Sequence, residues 1–93
     1  DDLGYLAELP HLTRLKIQKN SRITDNGIKA IKGLENLSQL NLYGTGVTDA
    51  AFESFSMMKG LKKLFLWNTR VTPTGIEKFK ALHPKVEVVA GLR

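Results

Sequence analysis

The sequence predicts an α/β chain that stacks one strand-plus-helix unit several times over, and three observations carry that expectation. Three segments superimpose: HLTRLKIQKNSRITDNGIKAIKGL from His11, NLSQLNLYGTGVTDAAFESFSMMKG from Asn36 and GLKKLFLWNTRVTPTGIEKFKAL from Gly60. Within each, two aliphatic residues separated by one position (Leu15/Ile17, Leu40/Leu42, Leu64/Leu66) give way to apolar residues at helical spacing. Each also carries a helix-start signal at the same phase: Thr24-Asp25, Thr48-Asp49 and Thr72-Pro73.

Taken in order, residues 1–10 align with the helical half of a unit through Leu3, Leu6 and Leu9, with no strand before them. They form either an N-terminal cap or the trailing half of a unit whose strand lies elsewhere. Repeats follow at 11–35, 36–59 and 60–82, and residues 83–93 supply a last strand and the C-terminal end, all within one domain. The aliphatic pair recurs after 25 residues, then 24, and a fourth pair, Val86/Val88, follows after 22. Alternation with period two sends both members of a pair to one face of a short strand and the residue between them to the other. A turn position comes next, held by Asn20, Thr45 or Thr69, whose side chains can satisfy backbone groups where the chain bends.

Helix starts follow from the chemistry of the next residues. Threonine caps free amides at a helix N-terminus, Asp in the first turn suits the positive end of the dipole, and Pro at the first helical position forfeits no hydrogen bond. The apolar helix positions are then Ile28, Ile31 and Leu34; Phe52, Phe55 and Met58; Ile76, Phe79 and Leu82. A single unit cannot bury its own apolar edge, so the units stack, with parallel strands lining a concave side and helices outside. Both edges of the sheet need covering. With no initiator Met at Asp1, the chain is expected to be a processed product or a piece of something longer, and the two open edges suit the second.

Composition narrows the function classes. With 42% hydrophobic and 25% charged residues the chain has an ordinary globular balance, and no apolar run reaches the ~20 residues of a membrane span. The start lacks the basic and apolar segments of a signal peptide. Without cysteine there is no disulfide, thiolate metal site, haem attachment motif or thiol nucleophile. A net charge of +5 suits acidic partners, but the charges are dispersed.

The segments GTGVTDAAFESF and WNTRVTPTGIEKFKALHPKVEVV resemble a branch of the leucine-rich-repeat family that carries V/I-T-D-x-G-hydrophobic after each strand. Ribonuclease-inhibitor-like and cysteine-containing repeats belong to this branch, and here Thr or Asn replaces the Cys of the turn. Ala51 stands where Gly27 and Gly75 stand, and Pro73 where Asp25 and Asp49 stand. The resemblance implies a right-handed βα solenoid with about four short parallel strands on the concave face and helices on the convex face. It also implies protein–protein interaction without catalytic residues. The ending, Leu82-His83-Pro84 into Val86-Glu87-Val88-Val89, is similar to the last repeat of bacterial members that close larger exported proteins. Some of those carry a c-type cytochrome domain, which would imply an extracytoplasmic location.

On that fold, parity gives three columns of outward residues: Arg14, Gln39, Lys63 and Lys85; Lys16, Asn41, Phe65 and Glu87; Gln18, Tyr43, Trp67 and Val89. Tyr43, Phe65 and Trp67 occupy positions that the repeat assigns to solvent, and aromatic residues are favoured interface anchors. Beside them Arg14, Lys16 and Lys63 favour an acidic patch on a partner protein. The plainer alternative is that the rings pack across neighbouring strands or lie beneath another domain of the same parent chain.

Other constellations lead nowhere. His11 and His83 stand in return loops without a second ligand at metal spacing, so neither a metal nor a cofactor is expected. The Thr-Asp pairs are explained as caps rather than as catalytic groups, and Gly44-Thr45-Gly46 lacks the Lys-Ser/Thr of a phosphate loop. Nucleic acid could stack on Tyr43 and Trp67, but Glu87 and the lack of a continuous basic stripe weigh against it.

Overall fold

The computed structural model describes residues 11–17 and 22–90. Four three-residue strands, β1 (Arg14–Lys16), β2 (Gln39–Asn41), β3 (Lys63–Phe65) and β4 (Glu87–Val89), form one sheet in the order β1-β2-β3-β4. All three pairings are parallel. Between successive strands run α1 (Asp25–Ile31), α2 (Phe52–Ser56, led by a 3-10 turn at Asp49–Ala51) and α3 (Pro73–Leu82). The expected alternation of strand and helix, with four parallel strands, is the architecture observed.

Alternation in the strands divides the sheet into two unlike faces. Leu40 and Leu64 are 0% exposed while their neighbours Gln39, Asn41, Lys63 and Phe65 are only half-buried. The buried face meets the helices in a core containing Leu37, Leu42, Leu66, Val47, Ile28, Ile31, Phe55 and Phe79. Helices α2 and α3 are tied by rings: Phe79 lies 5.2 Å from Phe52 and 6.4 Å from Phe55, centroid to centroid. Leu15 and Val88, opposite the buried leucines on the two outer strands, are only partly buried.

The turns after β2 and β3 bend on a residue in the left-handed region, Gly44 at φ 74° and Asn68 at φ 58°, residue types that tolerate it. The next threonine closes the turn as expected: Thr45 Oγ1 donates to the Leu42 carbonyl at 2.8 Å, and Thr69 Oγ1 to that of Leu66 at 2.9 Å. Asn20, the equivalent position of the first unit, lies outside the described residues, as do residues 1–10 and 91–93.

At the helix starts the structure gives more than capping. Thr48 and Thr72 accept from the amides of Ala50 and Gly75, as predicted, while the Thr24 side chain accepts from no helix amide. Each aspartate instead reaches into the next unit. Asp25 takes the Thr48 amide at 2.8 Å and the Thr48 hydroxyl at 2.5 Å; Asp49 does the same to Thr72 at 2.8 and 2.5 Å. The threonine hydroxyl thus donates to one unit's carboxylate while accepting from its own helix, which fixes the rotation of one unit on another. Asp49→Ala is expected to lower stability by about 1–2 kcal/mol, since two bonds to a charged acceptor vanish and the α3 cap is loosened. Urea unfolding followed by circular dichroism measures it; a loss below about 0.3 kcal/mol, the scatter of ordinary surface changes, would make the clamp ornamental.

Two expectations are corrected. The last strand is not offset by 22 residues: Glu87 pairs with Lys63, Val88 with Leu64 and Val89 with Phe65, which keeps the step at 24. Residues 83–86 are still loop and turn after α3, so the chain enters the sheet at Glu87, two positions later than the Val86/Val88 pair suggested. Leu82, expected on the apolar helix face, is 74% exposed. Its counterparts Leu34 and Met58 are buried. A further strand and helix follow each of those in the stack, whereas among the described residues no further helix follows α3.

Candidate functional site

The face of the sheet away from the helices carries the residues singled out above. Its first row is Arg14, Gln39, Lys63 and Glu87, and its second is Lys16, Asn41, Phe65 and Val89. Glu87 therefore stands in the first row, and Val89 in the second instead of the third. A displacement of two leaves the face unchanged. Lys85 belongs to neither row: it is exposed in the turn before β4. Tyr43 and Trp67 continue the alternation past the buried Leu42 and Leu66, and Gln18 lies outside the described residues.

The three rings are contiguous. Trp67 lies 6.2 Å from Tyr43 at an interplanar angle of 88°, and 6.5 Å from Phe65 at 65°. Such edge-to-face contacts are worth about 0.5–1.5 kcal/mol each, so the cluster is held in shape before any ligand arrives. Trp67 nonetheless stays 41% exposed. Lys63 extends its Nζ to 5.2 Å from the Phe65 ring centroid, a cation–π contact that carries its charge toward the rings. The plainer expectation, cross-strand ring packing, describes the Tyr43–Trp67 contact but not that of Phe65 and Trp67 along one strand, and it does not cover the outer side of Trp67.

Opposite the rings, β1 presents Arg14 and Lys16, both exposed. Between them and Phe65 the face dips into a depression of about 400 Å³, lined by Arg14, Leu15, Lys16, Gln39, Asn41 and Phe65. Asn41 is fixed there, because its Oδ1 accepts the Tyr43 amide at 3.0 Å. The opening is thus bounded by cations on one side and an aromatic face on the other, with two side-chain amides between.

Away from this face, His83 stacks at 4.9 Å on Phe79 and its Nε2 lies 3.0 Å from Ser56 Oγ, tying the loop after α3 to the end of α2. Sequence reading missed this contact and the Asp-to-Thr clamp. The clamp had a signal, since each aspartate precedes its threonine by 23 residues, one position short of a repeat. The Ser56–His83 pair had none. Among the described residues no group of three or more His, Cys, Asp or Glu could hold a metal ion, and no helix is long and apolar enough to cross a membrane.

Compared with known proteins, the chain matches no family model, and no curated protein shows significant similarity to it.

Proposed function

We propose that the chain is a leucine-rich-repeat segment, a right-handed solenoid whose open sheet face binds another protein and whose residues perform no chemistry. Support for the architecture comes from the 25- and 24-residue steps and from the parallel sheet in sequential order. A βα unit returning to a parallel neighbour is almost always right-handed. The repeated clamp from each aspartate to the next unit's threonine fits a stack of equivalent modules. The family assignment remains the one carried by the V/I-T-D-x-G pattern of the sequence.

One observation carries the functional half: three aromatic side chains in contact, Tyr43, Phe65 and Trp67, on the sheet face that none of the described helices covers. Preorganised rings lose little conformational entropy on binding, and partly exposed Trp and Tyr are the residue types that most often anchor interfaces. The double variant Tyr43→Ala/Trp67→Ala is expected to weaken partner binding by about 2–4 kcal/mol while leaving the circular dichroism spectrum unchanged. Partners cross-linked to the wild-type chain are titrated against both proteins. Equal affinities with equal secondary structure remove the face from consideration.

A further inference from the structure

The open face is asymmetric in charge and in hydrogen-bonding character, and that asymmetry limits what can lie on it. At the β1 side Arg14 and Lys16 project as neighbours on one strand face, with no acidic side chain in the two rows until Glu87 on β4. In the middle, Asn41 lines the depression and has its acceptor oxygen engaged by the Tyr43 amide, which leaves its Nδ2 as the group it can offer a ligand, a donor. Beyond stand Phe65 and Trp67. The depression is lined by the donors of Arg14, Lys16, Gln39 and Asn41, by Leu15 and by the Phe65 ring, with Trp67 standing beside Phe65 outside it.

We infer that this face takes an extended, acidic protein segment laid across the strands, with a carboxylate at Arg14 and Lys16 and an apolar side chain three residues further on against Phe65 and Trp67. The inference rests on the docking face proposed above. Its spacing follows from strand geometry: β1 and β3 are two strand intervals apart, roughly 9–10 Å. A polyproline-II segment repeats its side-chain direction every three residues over about 9.3 Å, so positions i and i+3 reach both anchors from one side. Its carbonyls, free of internal hydrogen bonds, accept from Asn41 Nδ2 and from the Gln39 amide between the anchors. A helix spanning the same distance has no free backbone groups in its middle and would leave those amide donors without acceptors.

The test uses the 93-residue chain and its only tryptophan, Trp67, as the reporter. It is titrated with acetyl-Ser-Glu-Pro-Pro-Phe-Ser-amide and with the peptide carrying Lys in place of Glu, neither of which contains Trp or Tyr. A saturable change in Trp67 emission is expected with the acidic peptide, with the lysine peptide weaker by about tenfold. The variant Arg14→Glu/Lys16→Glu, checked for fold by circular dichroism, is expected to reverse the preference. Equal binding of both peptides, a preference that survives the charge reversal, no response to either peptide, or tighter binding of an oligothymidylate would each overturn the inference. A response equal for both peptides, or a silent Trp67 alongside partner binding that still depends on Tyr43 and Trp67, removes the acidic occupant but leaves the docking face standing. Partner binding indifferent to Tyr43 and Trp67 removes the face as well.

Discussion

Phe79→Ala is expected to lose about 3–5 kcal/mol of stability, the usual range for truncating a buried aromatic ring. A domain of 93 residues has on the order of 5–14 kcal/mol in all, so much of the folded population would be lost well below the wild-type unfolding temperature. The ring is 2% exposed and meets three others: Phe52 at 5.2 Å, Phe55 at 6.4 Å and His83 at 4.9 Å. Its removal therefore opens a cavity between α2 and α3 and withdraws the surface on which His83 lies while it bonds Ser56. Neighbours held by a sheet behind and helices beside them cannot collapse into that space. Phe79→Leu, which keeps most of the volume, is expected to cost about 1–2 kcal/mol. Urea midpoints of the two variants and the wild type decide it. A loss under 1 kcal/mol for Phe79→Ala would mean that the helix layer is held elsewhere.

Positions where periodicity and burial coincide were legible before the structure. Leu40, Leu42, Leu64 and Leu66 sit where period two places them, and Ile28, Ile31, Phe55, Ile76 and Phe79 where helical spacing does. These residues answer to a single force, removal of apolar surface from water, and a one-dimensional pattern records it well. The open-face residues were legible for the same reason, because they are the complement of the buried set. What failed was the register of the last strand. Counting apolar pairs set Val86 beside Leu64, yet α3 runs through Leu82 and the backbone ladder places Val88 there. The aliphatic character of Val86 and Val88 is equal, and hydrogen-bond register is not written in hydropathy. Contacts between units were hidden for another reason. Asp25 and Asp49 had a sufficient local explanation as first-turn acids, and nothing in a local explanation shows that the same carboxylate also holds the next unit's threonine.

Stacking also brings two return loops into close backbone approach at Gly60, and there the second large effect is expected. Gly60→Ala should lose about 2–3 kcal/mol, because overpacking against atoms that cannot turn aside is relieved only by moving the chain. A Cβ at Gly60 would stand 2.3 Å from the Glu35 carbonyl oxygen and 3.4 Å from that of Leu37. Both are backbone atoms of the preceding return loop. Two residues on, the Lys62 amide donates to Ser38 at 2.8 Å, so a displaced Gly60 pulls at the first bond that sets β3 beside β2. The Leu61 side chain, 6% exposed, is carried on the same short segment. Gly33→Ala is the matched control: a Cβ there meets nothing within 4 Å, and the residue has no positive φ. It should leave stability unchanged or raise it by about 0.4–1 kcal/mol, through lost freedom of the unfolded chain alone. Thermal and urea unfolding of the two variants side by side separate close loop stacking from a general intolerance of added methyl groups. If Gly60→Ala unfolds at the wild-type midpoint, the return loops are not in close contact and the spacing of β2 and β3 is set by the sheet alone.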